Sequence, residues 1–204
     1  MKKVFLALAL VVAGITASQA QVTFNPTIRG GVNFSRFTNG GETYDYYGNS
    51  SNNYTKFKTT TDFYLGFAAA LNLSKVYTLQ PEINYSRQGA IADKVYYNSF
   101  YYDGGVIANR EYKTSYMGVQ VMNKFNFNKF NIQVGPGLDF MMESNFKEEV
   151  PVDFTFVLGA GFDITKNFGL EARVKKGILP VIDINDSRTN LVFSAGAYYK
   201  FDIK

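Results

Sequence analysis

Residues 153–164, DFTFVLGAGFDI, alternate between apolar side chains and small or polar ones. Glycine, threonine and aspartate occupy most of the positions between the apolar ones. Because successive side chains of a β-strand point to opposite faces, this period of two predicts a strand with one apolar and one polar face. The apolar face comprises Phe154, Phe156, Leu158, Ala160, Phe162 and Ile164.

Seven further runs along the chain repeat this alternation. With the first, they cover residues 27–34, 63–73, 78–86, 117–125, 132–140, 153–164, 170–175 and 190–201. Alternation sustained over such lengths is typical of strands that bury or cover one face. The predicted fold class is therefore all-β, with eight antiparallel strands.

The connections between these runs alternate in length. Short turns are predicted near Ser74-Lys75, Asn128-Lys129 and Lys166-Asn167. Of the other four connections, the first two are about twenty and about twenty-five residues long, and the last two are roughly ten residues each. Short turns at one rim and long loops at the other are typical of an up-and-down transmembrane β-barrel of a bacterial outer membrane.

A soluble barrel with its apolar face inside is the competing interpretation, since both architectures alternate. Strand runs of ten or more residues favour the membrane, because a tilted strand of that length crosses a bilayer. A face made mostly of Gly, Ala, Ser, Asn and Gln also suits a crowded interior. Aromatic residues near strand ends suggest interfacial girdles; they are Phe63, Tyr77, Tyr85, Tyr116, Phe125, Phe130, Phe154, Phe168 and Tyr199.

The N-terminus has the three parts of a secretory signal peptide. Lys2-Lys3 is a basic start, Val4 to Ile15 is an apolar core, and Ser18-Gln19-Ala20 is a small-x-small cleavage site. The core is too short to cross a bilayer, so cleavage is favoured over a retained anchor. The predicted organisation is a signal peptide at 1–20 and a barrel domain at 21–204, located in the outer membrane.

Composition excludes several classes of function. The chain has no histidine and no cysteine, which removes the usual general base, the commonest metal ligands and disulfides. Without Lys2 and Lys3, the 21 basic residues become 19 against 17 acidic ones, so nucleic-acid binding is not expected. We expect no enzymatic activity, no catalytic residues, no cofactor and no metal.

The charged residues of the polar face form one candidate site. Each lipid-facing Arg or Lys at the bilayer centre would cost about 2–4 kcal/mol, so these charges are expected inside the barrel. Two interpretations stay open: a salt-bridge network that fills and locks the lumen, or a path for protons or ions. The predicted lumen charge network consists of Arg29, Glu82, Arg87, Glu171, Arg173 and Lys175.

The two long loops form a second candidate site. Residues 38–60 and 90–112 combine tyrosine with Asn, Gly, Ser and Thr, a composition typical of recognition surfaces. Alternation within 94–102 further suggests a hairpin that projects past the membrane. Generic surface loops are the alternative. The predicted recognition residues are Tyr44, Tyr46, Tyr47, Tyr54, Tyr96, Tyr97, Tyr101 and Tyr102.

The sequence resembles the PorT-like outer-membrane β-barrel family, which has the eight-stranded OmpX/OmpA-like architecture. The resemblance rests on Leu79–Gly89, LQPEINYSRQG, with weaker matches at Gly135-Pro136-Gly137, Gly159–Phe162 and Leu170–Arg173. It departs at Gln120, where the family often has Pro.

The chain ends Phe201-Asp202-Ile203-Lys204. Barrels of this kind usually end on an aromatic residue that the outer-membrane assembly machinery reads. The resemblance therefore implies that Phe201 is the assembly signal.

Two roles follow as expectations. The first is a non-enzymatic structural or surface-recognition protein, adhesin-like, that binds an extracellular protein or glycan. The second, implied by the resemblance alone, is an accessory barrel of a protein secretion or envelope-assembly system. The expected partners are the lipid bilayer and the assembly machinery, and the barrel is expected to be a monomer.

Overall fold

The computed structural model describes residues 22–38, 57–96, 106–146, 150–183 and 187–202. The predicted signal peptide lies outside these ranges. The strands are β1 (Thr23–Phe37), β2 (Phe57–Lys58), β3 (Thr60–Asn72), β4 (Tyr77–Tyr96), β5 (Val106–Phe127), β6 (Phe130–Ser144), β7 (Val152–Asp163), β8 (Phe168–Gly177), β9 (Ile182–Asp183), β10 (Ser187–Arg188) and β11 (Asn190–Lys200).

Eight long strands form a closed antiparallel barrel, as predicted. Each of β3 to β7 pairs with the next strand along the chain, and β1 pairs with both β3 and β11. The strand β11 pairs with β8, which completes the ring. Short β2 adds to β4 beyond the end of β3, and β9 pairs with β10 outside the barrel sheet. Closure leaves no free edge around the barrel wall, which is the condition for crossing a bilayer.

The three short turns lie where the sequence predicts them. Leu73 donates its backbone N–H to Tyr77, and Ile164 donates to Phe168, so each closes a tight turn. Between β5 and β6 the turn is Asn128-Lys129, and Asn128 has a φ of 56°. Asparagine tolerates this left-handed conformation better than most residues, which suits it to a two-residue hairpin turn. These turns define one rim, and the long connections define the other.

The outer surface of the barrel wall is apolar. Along each long strand the outward positions carry mostly exposed aliphatic or aromatic side chains, whereas most inward positions are polar or small. A soluble barrel would show the reverse arrangement. We call this surface the outer apolar band; its members include Ile28, Val32, Phe34, Leu65, Phe67, Ile83, Met117, Val119, Val121, Ile132, Phe140, Phe156, Leu158, Phe162, Leu170 and Phe193.

The predicted aromatic girdle needs one correction. Tyr116 is fully buried and faces the lumen, where its hydroxyl accepts a hydrogen bond from Asn190 at 3.0 Å. The even-numbered positions of β5 point inward, so Tyr116 is in phase with the buried Gly118 and Gln120.

No helix in the described part of the chain is long and apolar enough to cross a membrane.

The polarity of the wall inverts at the rim that carries the long loops. Here the inward positions are apolar, and they form a small core that we call the aromatic cap. The Phe37 and Phe57 rings meet edge to face with centroids 5.4 Å apart, and Tyr112 lies 5.9 Å from Phe37. An apolar interior under a polar exterior is the pattern of a soluble protein, so the barrel extends beyond the bilayer at this rim. The cap comprises Phe37, Phe57, Ala90, Ala92, Tyr112 and Val181, with Met141 and Phe146 packed against it.

We expect Phe37→Leu to destabilise the barrel by about 1 kcal/mol, because leucine keeps the apolar contact but loses the aromatic pairs. Urea unfolding in detergent micelles measures this loss. Phe34→Leu on the same strand is the matched control, because Phe34 belongs to the outer apolar band. There the substitution replaces one apolar side chain in contact with detergent or lipid by another, so we expect a smaller loss of stability. Equal losses for the two variants would contradict the cap as a packed core.

Candidate functional site

Four charged residues from three strands meet in the middle of the lumen. They are Arg29 on β1, Glu82 on β4, and Glu171 and Arg173 on β8. Arg29 contacts Glu82 at 2.6 Å and Glu171 at 2.5 Å, and Arg173 contacts the same two carboxylates at 2.8 and 3.1 Å. Each arginine therefore bridges both glutamates. We call this group the lumen charge cluster.

The barrel leaves space for the long arginine side chains by placing glycines beside them. Arg29 is the register partner of Gly66, where a Cβ atom would clash with Oδ1 of Asn84, which itself accepts from Arg29, and would lie 3.2 Å from Cγ of Arg29. Arg173 is the partner of Gly159, where a Cβ would lie 2.6 Å from its Cγ. Small residues on the neighbouring strands thus let both guanidinium groups cross the interior instead of pointing along the wall.

Neutral side chains satisfy the remaining hydrogen-bonding capacity of the carboxylates. Gln80 donates to Glu82 at 2.6 Å, and the Tyr64 hydroxyl donates to Glu171 at 2.9 Å. The Arg29 guanidinium also lies over the Tyr64 ring, 5.0 Å from its centroid. A buried ion pair is tolerated only when its desolvation is offset by such additional contacts. Tyr64 was not among the residues predicted for the network, although it lies on the small-residue face of β3, which points inward.

Of the other two residues predicted for this network, Lys175 forms a separate pair. Its ammonium group contacts Asp139 on β6, two residues beyond Arg173 along β8. Both side chains are buried. Lys175 therefore lies in the lumen but outside the cluster, nearer the rim with the long loops.

The structure does not bring Arg87 into the lumen. Arg87 alternates with the buried Ser86 and Gln88, so it lies on the outer surface of β4. Its guanidinium contacts Asp62 at 3.5 Å, and 40% of the side chain is exposed. The prediction is wrong for Arg87 because the strand has already passed the outer apolar band at this position, where an outward charge meets water.

The lumen is filled at the level of the cluster. The cavity there measures about 30 Å³, and Arg29, Asn33, Tyr64, Arg173 and Lys175 are among its lining residues. This is room for one or two water molecules. Eight strands leave an interior just wide enough for side chains, and the ion pairs and hydrogen bonds occupy it. The arrangement favours a structural lock over a continuous path for ions.

The predicted recognition residues belong to the two long loops. Tyr44, Tyr46, Tyr47, Tyr54, Tyr97, Tyr101 and Tyr102 lie outside the described residues. The backbone of Tyr96 is described: it ends β4 and pairs with Val106. The projecting hairpin expected from the alternation at 94–102 therefore exists at least as far as this pair.

Phe201 follows β11, and its backbone N–H donates to Pro26 at 2.8 Å. Its ring meets Tyr199 edge to face at 5.0 Å, on the outer surface near the short-turn rim. An exposed aromatic residue at the end of the last strand is compatible with the predicted assembly signal, which stays a prediction. Among the described residues, no group of three or more Asp or Glu side chains could hold a metal ion.

Comparison with known proteins agrees with this architecture. The sequence model of the outer membrane protein beta-barrel domain family matches residues 18–183. A search of curated proteins finds no match.

Among solved structures, Neisserial surface protein A matches with a TM-score of 0.53 and 14% identity, over 86% of this chain and 97% of that one. OprG of Pseudomonas aeruginosa (TM-score 0.48, 11% identity) covers 91% and 99% of the two chains. Ail, the attachment invasion locus protein of Yersinia pestis, matches with a TM-score of 0.47 and 16% identity, over 87% of this chain and 99% of that one. Because the family model covers residues 18–183, well over half of the chain, the chain belongs to the outer membrane protein beta-barrel domain family, and it lies in the bilayer of the outer membrane.

Proposed function

We propose that this protein is a non-enzymatic surface-recognition barrel that binds an extracellular protein or glycan through its two long loops. The observation that carries the proposal is the contrast between a filled interior and an extended exterior. The lumen charge cluster and the aromatic cap fill the barrel at two levels. A barrel filled in this way acts through its surface.

The extended exterior is the hairpin of β4 and β5. Its strands remain paired from Arg87 and Ser115 to Tyr96 and Val106. At about 3.3 Å per residue, this is roughly 30 Å of strand beyond the outer apolar band. The aromatic cap packs Ala90, Ala92 and Tyr112 of this hairpin against Phe37 and Phe57. The hairpin therefore has a packed base, which supports its use as a platform for the tyrosine-rich segment at 97–105.

The recognition residues in this proposal are the tyrosines predicted from the sequence. Tyrosine contributes a large amphipathic contact area with few rotatable bonds. The test replaces Tyr97, Tyr101 and Tyr102 by serine, because trimming residues 92–110 would remove part of the aromatic cap. Attachment of cells that display the variant is measured on immobilised host or neighbouring-cell surface material.

We expect the three tyrosine substitutions to abolish most of the attachment. The matched control replaces Asn49, Asn52 and Asn53 by serine, which changes the other loop without removing aromatic area. Attachment that is unchanged by the tyrosine substitutions would contradict the proposal, provided that the amount of folded protein at the surface is equal.

The second candidate is an accessory barrel of a protein secretion or envelope-assembly system, in line with the PorT-like resemblance. The observation in its favour is the short-turn rim, where each turn carries an exposed lysine: Lys75, Lys129 and Lys166. A periplasmic partner would meet this rim. Secretion lost when these lysines are replaced by glutamate, with secretion intact after the tyrosine substitutions, would favour this candidate over surface recognition.

A further inference from the structure

A polar notch opens on the outer surface of the barrel between β4, β5 and β6. Its cavity measures about 170 Å³ and is lined by Arg87, Lys113, Thr114, Ser115, Glu143, Ser144 and Asn145. This volume is several times that of the cavity in the lumen. The notch is separate from the lumen charge cluster, since Arg87 lies on the outer surface.

A β-bulge creates the notch. Ser115 is paired with Glu143, whereas the next residue, Tyr116, is paired with Met141, so Met142 has no partner on β5. Beyond the bulge the pairing resumes at Glu143 and Ser144, and Asn145 ties the end of β6 to β5 by donating to the carbonyl of Glu111 at 3.0 Å and accepting from the N–H of Lys113 at 2.8 Å. Bulges of this kind re-aim side chains and are frequent next to functional sites.

The notch lies directly above the outer apolar band. Arg87 is paired with Ser115, and the next outward pair towards the membrane is Tyr85 with Met117. Met117 is in turn paired with Phe140. Both Met117 and Phe140 are exposed to the hydrocarbon side. The two cations therefore lie at the level of the headgroups of the outer leaflet.

The chemistry of the lining is mixed. Arg87 and Lys113 supply two cations that remain 40% and 50% exposed, each next to one carboxylate, Asp62 or Glu111. Exposed pairs of this kind contribute little, so both cations stay available to an anion. Glu143 adds a hydrogen-bond acceptor and Ser115 adds a hydroxyl, whereas the amide of Asn145 is engaged with β5. Cations suit a phosphate, whereas a carboxylate suits the hydroxyl groups of a sugar.

We propose that this notch binds the phosphorylated sugar headgroup of an outer-leaflet glycolipid. Arg87 and Lys113 hold the phosphate, and Glu143 accepts a hydrogen bond from a sugar hydroxyl. The acyl chains of the same lipid lie against Met117 and Phe140. Because the site is on the outer wall and not in the loops, it is independent of the proposed recognition function.

The test is native mass spectrometry of the full barrel in detergent, titrated with diphosphoryl lipid A. We expect Arg87→Gln combined with Lys113→Gln to weaken binding about thirtyfold, because each cation near anionic headgroups contributes about a factor of five. We expect the wild-type barrel to bind dephosphorylated lipid A as weakly as this variant binds the phosphorylated form. A shift of electrophoretic mobility on heating confirms that each variant is folded.

Two controls separate a built site from general attraction. Arg36→Gln combined with Lys176→Gln removes two cations from the same rim, on strands away from the notch. An equal loss for this control, or no loss for the notch variant, would overturn the proposal. Glu143→Gln distinguishes a phosphosugar from a bare phosphate: it weakens binding of lipid A but strengthens binding of inorganic phosphate. Tighter binding of both ligands would overturn the assignment of the sugar.

Discussion

Replacing Glu82 by alanine is expected to destabilise the barrel by about 3–5 kcal/mol. Glu82 contacts both Arg29 and Arg173, and its side chain is fully buried. Without it, two guanidinium groups share the single carboxylate of Glu171 in an interior with little room for water. Removing one partner of a buried ion pair costs this much because it leaves an uncompensated charge. Urea unfolding in lipid vesicles measures the change.

Two further variants identify the cause of the loss. Glu82→Gln keeps the side-chain volume but removes the charge, so a loss close to that of Glu82→Ala assigns the effect to electrostatics. Glu143→Ala removes an exposed carboxylate from the outer surface and is expected to change the free energy of unfolding by less than about 0.5 kcal/mol. A loss below about 1 kcal/mol for Glu82→Ala would contradict the role of the cluster as the lock of the lumen.

Replacing Ile83 by arginine is expected to lower the free energy of unfolding by about 2–4 kcal/mol. Ile83 follows Glu82 in the sequence, but its side chain points to the lipid and not to the lumen. Ile83 is 55% exposed and lies midway along the outward apolar residues of β4, from Leu79 to Tyr85. An arginine there would place its charge near the centre of the hydrocarbon. The same unfolding measurement in vesicles gives the cost.

The control for this substitution is Phe127→Arg. Phe127 is 59% exposed and ends β5 next to the short turn to β6. An arginine near the interface reaches water, so the expected cost falls to about 0–1 kcal/mol. Equal costs at the two positions would show that the outer apolar band does not face a bilayer.

The barrel could be predicted from the sequence because the alternation of apolar and polar residues that determines each strand is a local property of the chain. Each strand between the rims places apolar residues on alternate positions, and a slip of one residue would expose every inward polar group to lipid. The same phase places Arg29, Glu82, Glu171 and Arg173 on one face. Which of them touch depends on the strand register, and register is a property of the closed barrel.

The errors come from the places where the environment changes along one strand. Arg87 continues the outward phase of Ile83 and Tyr85, but it lies beyond the bilayer, so its charge needs no place in the lumen. The aromatic cap was missed for the same reason. At Phe37 and Tyr112 the apolar face turns inward, and alternation alone does not mark where the membrane ends.

The separation of Lys175 from the cluster has a different cause. It lies on the inward face of β8 as predicted. However, it is the next inward-facing position after Arg173, and at that level of the barrel it meets Asp139 on β6. Sequence spacing along one strand does not reveal which level of another strand it meets. The notch was missed because its bulge at Met142 depends on pairing between β5 and β6.

Photo-crosslinking in intact cells tests the central claim, that a filled barrel acts through its outer surface. A photoreactive amino acid is placed at Tyr101 in the second long loop and, separately, at Lys129 in a short turn. We expect adducts with an extracellular protein or glycan at position 101, and adducts only with the outer-membrane assembly machinery at position 129. Adducts at 129 with secretion components or with other envelope proteins, together with no adduct at 101, would contradict the central claim.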